Sequence, residues 1–281
     1  MRTRALKLLV MLLTLCCASV ADAAKMKVKS LCDIYYPSDT RIPWECVELQ
    51  EGDTPNMIFG RYWRDGLHFN RMDRRHFGAG VSVKVPLKME QLRGFTPLPA
   101  TYPSAAREAK FILVDQTEGY LGAYENGKLV FSTPVAVGIE GYPTPTGTFQ
   151  VDAANRTHSS NLYPVEGTDR PYPMHYALRF FQDKREERWP AYWIHGRDVP
   201  GYPDSHGCVG LYDEEMQKEY FKSPRKPLLK DAKWLYQWVT GERAKVKSFQ
   251  KVENGPKVQI VGTPPGVKVT PGGRPVGAPG P

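Results

Sequence analysis

The chain has 281 residues, 41% of them hydrophobic, with 25 glycines, 25 prolines and a formal net charge of +8. That length carries one substantial domain and a smaller one, and the Gly and Pro content argues against a helical bundle and for a strand-rich, loop-rich protein. The basic excess is spread along the chain, which suits an anionic polymer or a membrane surface and gives no ground for a nucleic-acid partner.

Residues 1–23 read as a secretory signal, with Arg2, Arg4 and Lys7 ahead of the apolar Leu8–Leu15 and an Ala21-Asp22-Ala23 exit. The mature chain is then expected to begin near Ala24 and to work in the periplasm or secreted to the cell envelope. The apolar run is too short to span a bilayer and no later segment approaches that length, so no membrane span is expected in the mature chain. Lipidation at Cys16 or Cys17 is an alternative, opposed by the large Leu15 in front of them. Beyond the leader stand Cys32, Cys46 and Cys208, an odd number for an oxidising compartment. The simplest arrangement pairs Cys32 with Cys46, a closure worth about 3 kcal/mol in the chain-entropy picture, and leaves Cys208 free. Pairing of Cys208 with one of the other two is the alternative.

Residues 24–46 are turn-rich and aromatic, a stapled N-terminal segment. Residues 47–87 run through Gly52-Asp53-Thr54, an amphipathic stretch to Trp63, then Asn70-Arg71 and a Val81, Val83, Val85 alternation with the period of a half-buried strand. In degenerate form this order resembles a lysin motif, the small α+β module (LysM-like, βααβ) that holds N-acetylglucosamine polymers such as peptidoglycan. The alternative is a helix and strand that pack on the next domain. His68 and His76 are read as surface histidines. Residues 88–107, with Pro97, Pro99 and Pro103, read as a linker.

A second domain, residues 108–264, opens with the buried strand Phe111–Val114. Tyr120–Tyr124 and Leu129–Ser132 form a hairpin closed by Asn126-Gly127. Thr133–Gly138, Thr144–Val151, the aromatic Tyr172–Phe181 and Lys257–Gly262 continue as strands, which predicts a mainly β, sandwich-like core. Asp213–Phe221 reads as a helix with a solvated charged face. Residues 265–281, rich in Gly and Pro, are expected to form a disordered tail.

The chemistry concentrates between Tyr192 and Asp213. Tyr192-Trp193-Ile194 delivers His195, and a Gly/Pro/Asp-rich loop returns the chain to Ser205-His206-Gly207-Cys208. A thiol with an ordinary pKa of about 8.5 is mostly protonated at neutral pH, so a cysteine nucleophile needs an imidazole or another positive group beside it. His195 is the candidate base; His175, inside a strand, is a weaker one. Gly207 permits a turn sharp enough to aim backbone N–H groups at a developing oxyanion. A zinc site built from His195, His206 and Cys208 stays open as a second reading, although it lacks an evident fourth ligand.

Ile194-His195-Gly196 joined to Ser205-His206-Gly207-Cys208-Val209-x-Leu211 resembles the signature of the L,D-transpeptidase catalytic domain, the YkuD-type family of bacterial cell-wall enzymes. Pro143-Thr-Pro-Thr-Gly-Thr-Phe149 resembles a second feature of that domain, and Tyr172–Phe181 resembles its segment lining the donor pocket. The resemblance implies Cys208 as nucleophile and His195 as base, with the Gly196 carbonyl orienting the imidazole. Ser205 and His206 would buttress the turn, and backbone N–H groups near Gly207 and Cys208 would hold the oxyanion. Met174, Tyr176, Arg179 and Arg197 are the expected substrate-binding residues. It further implies peptidoglycan tetrapeptide stems as substrate, an amine acceptor that includes a wall-anchored protein, acylation by carbapenems, and no metal or organic cofactor. Residues 223–247 become an insertion before the last strand. The family usually carries Arg or Asn where this chain has Gly210, and Arg197 is the candidate replacement cation. The alternatives are an L,D-carboxypeptidase of the same fold and a cell-wall binding protein with a retired pocket.

Overall fold

In a computed structural model, residues 30–165, 167–185 and 190–266 are described. The expected leader, 1–23, and residues 267–281 of the expected tail lie outside the described residues.

The N-terminal part contains β1 (Trp44–Glu48), α1 (Pro55–Phe59), α2 (Trp63–Phe69) and β2 (Ser82–Pro86), and the two strands pair antiparallel. Thr54 starts α1 by accepting the Met57 N–H, with Pro55 in the first turn where its missing donor costs nothing. Cys32 and Cys46 form a disulfide with Cα atoms 5.9 Å apart, and Cys208 is a free thiol.

The strands that follow are β3 (Phe111–Asp115), β4 (Tyr120–Glu125), β5 (Lys128–Pro134), β6 (Gly147–Gln150), β7 (Ala153–Pro164), β8 (Pro171–Gln182), β9 (Ala191–Arg197) and β10 (Val209–Tyr212). Next come α3 (Glu214–Phe221) and α4 (Asp231–Thr240), then β11 (Gln250–Lys251) and β12 (Lys257–Val261). They build two five-stranded sheets, ordered β5-β4-β3-β12-β6 and β10-β9-β8-β7-β11. Between the sheets lies a core of Ile112, Val114, Leu121, Ala123, Val258 and Ile260 against Ala154, Leu178, Phe180, Ile194, Val209 and Leu211. The mainly β architecture expected from the strand spacing is what forms. The β4–β5 hairpin turns on Asn126 (φ 47°) and Gly127 (φ 78°), the two left-handed positions its tight turn requires.

Successive residues of β3 and β4 face opposite ways, so Phe111, Leu113, Tyr120 and Tyr124 point out of the sandwich into a second core. That core is completed by Leu31, Phe59, Leu67, Phe69 and Met72 from the N-terminal part. It also includes Leu92, Phe95, Leu98 and Ala105, so residues 88–107 are a packed cover for an apolar sheet face and not the linker their prolines predicted. Buried Arg71 ties the parts together: it donates to Phe69 O, Asp39, Ser38 Oγ (2.7 Å) and Glu118 O (3.1 Å).

Two further expectations are corrected. The start of α3 is not a solvated face: Glu214 is fully buried, bound by the Arg74 guanidinium and by the backbone N–H groups of Leu228 and Leu229. His76 is not an unpartnered surface residue, since its Nδ1 lies 2.8 Å from Asp73 Oδ1. The stretch read as an insertion forms α4, which contributes Ala232, Leu235 and Tyr236 to the inter-sheet core.

Candidate active site

β9 and β10 run parallel with Val209 opposite Ile194 and Gly210 opposite His195. Side chains alternate along a strand, so Trp193, His195 and Arg197 share one face with Gly210, and Cys208, just before β10, falls beside Trp193. Cys208 indeed packs in a small cluster with Ala153, Met174, Ala177 and Trp193, on the sheet face turned away from the inter-sheet core.

His195 is buried, and its Nδ1 lies 2.8 Å from the Gly196 carbonyl oxygen. Nδ1–H donates to that carbonyl, which leaves the lone pair on Nε2. Burial drives the imidazole pKa down to about 3; the Gly196 bond opposes this, while Arg197, His158 and His175 add to it. Cys208 is half-buried, and desolvation pushes its pKa up to about 11, against a backbone hydrogen bond from Trp193 and the positive charge of Arg197. Among the described residues no hydrogen bond joins the two side chains directly, and the resting pair is a neutral thiol and a neutral imidazole.

The turn before Cys208 is fixed from outside. Ser205 is buried, its N–H donates to Val137 O (3.0 Å), and its carbonyl accepts from Ile139 (2.9 Å). Gly207 has φ 104°, and a Cβ there would lie 2.6 Å from the Tyr192 ring, so both conformation and space demand glycine. His206 is exposed at its edge, stacked on Tyr163 (4.4 Å between centroids) and met edge-on by Tyr142 (4.6 Å). Gly196 is glycine for a different reason: a Cβ would fall 2.4 Å from Asp213 Oδ2. Asp213 caps α3 through Oδ1, which accepts the Met216 N–H, while among the described residues its buried Oδ2 has no hydrogen-bond partner. Burial raises its pKa to about 6.

Arg197 crosses Gly210. Its guanidinium donates to Asp198 O, Asp204 O and Asp204 Oδ2 at 2.8–3.0 Å. Burial works against its charge, but Tyr172, Asp204, Asp198 and Cys208 hold its pKa above the ordinary value. The remaining expected substrate residues divide. Met174 lies in the Cys208 cluster; Arg179 stands over Trp193, 5.8 Å from the ring centroid, in an ion pair with Asp152. Tyr176 does not join them. Its backbone takes φ 56°, which breaks the strand alternation and turns the ring into the inter-sheet core, where its hydroxyl donates to Glu215 Oε2 (3.2 Å). His175 turns to Tyr220 of α3 instead of Cys208.

One residue of this face was not visible in the sequence. His158 of β7 lies over Trp193, 4.5 Å between ring centroids, and burial lowers its pKa. The strand that carries it has no clean apolar alternation to read.

For metals, Asp73, His76 and Asp198 are the group of three potential ligands that converge among the described residues; His195, His206 and Cys208 do not. The oxygens of Asp73 and Asp198 are already taken by Arg75, Gln217 and the Val199 N–H, and an ion there would have to displace the Arg75 guanidinium.

The site thus combines, in a β-sandwich, a free cysteine immediately before β10 with a buried histidine on β9, its parallel neighbour. Residues 109–270 match the L,D-transpeptidase catalytic domain, YkuD, and the chain belongs to that family. No match is found among curated proteins. Solved structures similar to it include an L,D-transpeptidase from Stackebrandtia nassauensis, 25% identical over 57% of this chain and 58% of that one, TM-score 0.37. Another, from Mycobacterium smegmatis, is 18% identical over 55% and 59%, TM-score 0.37. A third, from Xylanimonas cellulosilytica, is 18% identical over 76% and 97%, TM-score 0.43. The chain thus spans less than two thirds of the first two.

Proposed function

We propose that this chain is an L,D-transpeptidase that takes a peptidoglycan tetrapeptide stem as donor, holds the acyl group as a Cys208 thioester, releases D-alanine and passes the acyl group to an amine. The observation that carries the reading is the parallel register of β9 and β10, which puts the free thiol, just before β10, on the same sheet face as buried His195, whose Nδ1 is engaged by the Gly196 carbonyl. His195 Nε2 takes the Sγ proton as sulfur attacks the carbonyl carbon, then delivers it to the departing nitrogen. Backbone N–H groups around Gly207 and Cys208 hold the oxyanion in a turn that Ser205 anchors and His206 braces. Arg197 supplies the cation next to the sulfur that a residue at position 210 does not. The reaction written this way requires no metal or organic cofactor.

The chemistry belongs outside the cytoplasm, in keeping with the signal read at residues 1–23. The strand–helix–helix–strand order of residues 44–86 supports a LysM-like role for that region in holding the glycan strand, and a wall-anchored protein is a fitting acceptor. Intact-mass measurement after incubation with a carbapenem tests the reading: one covalent adduct is expected on the parent chain and none on Cys208→Ala. An adduct of equal yield on Cys208→Ala overturns it. If water replaces the amine, the same intermediate yields an L,D-carboxypeptidase, and shortened monomers in place of joined products would identify that outcome.

A further inference from the structure

We propose that His158 is a second catalytic imidazole, which accepts a proton from an ammonium-type acyl acceptor during transfer; this rests on the thioester reading above.

The need for it follows from counting protons. In acylation, the proton taken from Sγ leaves on the departing nitrogen, so one imidazole suffices. In the second half-reaction an amine that arrives as R–NH3+ forms a C–N bond to the acyl carbon, and the C–S bond breaks with its electron pair going to Sγ. The amide product keeps one N–H, so two protons leave nitrogen. One returns to Sγ through His195, and the other needs a separate acceptor with a route to water.

The site face offers few groups for this. Arg179 and Arg197 are cations already bound to Asp152 and Asp204. Asp152 is occupied by Arg179, and His206 is clasped between Tyr142 and Tyr163. His158 is different. It lies opposite Met174 in the β7–β8 pair, so both face the Cys208 cluster, and its ring covers Trp193, whose backbone hydrogen-bonds the nucleophile. Among the described residues neither of its ring nitrogens has a hydrogen-bond partner, and the side chain is half-buried, so water reaches it. Burial disfavours its charged form, and a positive charge on it would disfavour protonation of His195 across the same face.

Two acceptors separate this role from a structural one. D-Methionine is an ammonium at neutral pH, whereas hydroxylamine is already uncharged and has one proton fewer to lose. With a tetrapeptide donor, His158→Gln is expected to slow transfer to D-methionine by about tenfold to a hundredfold while acylation and transfer to hydroxylamine stay within about twofold of the parent. His158→Phe, which preserves the stack on Trp193, should show the same pattern. Equal losses with both acceptors, or no loss with either, would overturn the proposal. A parent chain that the donor does not acylate overturns the underlying thioester reading instead, so the two failures are told apart.

Discussion

Arg197 occupies the space above Gly210: a Cβ on that glycine would fall 2.0 Å from both Cγ and Cδ of the arginine. A side chain at position 210 and the observed course of Arg197 are therefore mutually exclusive. Gly210→Arg alone should lower the melting temperature, overpacking of this kind costing about 1–3 kcal/mol. Arg197→Ala removes the positive charge near Cys208, which should raise the thiol pKa by about one unit and slow carbapenem acylation about tenfold. The double variant Arg197→Ala/Gly210→Arg should recover part of that rate, measured by stopped-time intact mass. No recovery would show that the two positions do not exchange roles.

The neutral resting pair predicts how the free thiol ages. With Cys208 at about 11 and His195 at about 3, no thiolate–imidazolium pair forms near neutrality. Iodoacetamide labelling of Cys208 should therefore be slow near pH 7 and climb about tenfold per pH unit up to about pH 10, without levelling at the ordinary thiol value of about 8.5. A plateau below about pH 8 would contradict it.

Gly196 and Asp213 make a second exclusive pair. Gly196→Ala must push the Asp213 carboxyl or shift the carbonyl that holds His195, and activity should fall about a hundredfold, the usual consequence of a misplaced catalytic group. Circular dichroism should show the fold retained.

Asp213 also carries a pH signature of its own. Its folded-state pKa, about 6, lies above the usual carboxylate value, so burial is harmless at low pH and the stability it permits is lost as pH rises through about 6. Asp213→Asn keeps a capping side chain without the charge. Its melting temperature should match the parent near about pH 4 and exceed it near about pH 8, by the equivalent of about 2–3 kcal/mol. Equal offsets at both pH values would show that the carboxyl does not titrate there.

The faces of β8 give a fifth prediction and mark where sequence reading stopped. Tyr176→Phe should leave acylation kinetics unchanged, because the ring sits across the sheet from Cys208, whereas Met174→Ala should raise KM for the donor. A KM change in Tyr176→Phe would reverse that assignment. Strict alternation from Met174 puts Tyr176 on the site face; the left-handed backbone at Tyr176 changes the phase, and no residue type announces it.

The hairpin at Asn126-Gly127 was legible because it is a local pattern whose geometry its own residues impose, and the Ser205–Cys208 turn because Gly207 marks it, although Val137, Ile139 and Tyr192 hold it from outside. The cover formed by Leu92, Phe95 and Leu98 was not, because prolines describe the local chain and say nothing about the apolar sheet face waiting for it. Glu214 was misread for the same reason: Arg74, which makes its burial tolerable, lies 140 residues away.

Incubation with purified tetrapeptide muropeptides and an amine acceptor, followed by quantifying free D-alanine and product masses, tests the central claim most directly. The account predicts D-alanine and acceptor-linked products from the parent chain and neither from Cys208→Ala. D-alanine release by Cys208→Ala at the parent rate would contradict it.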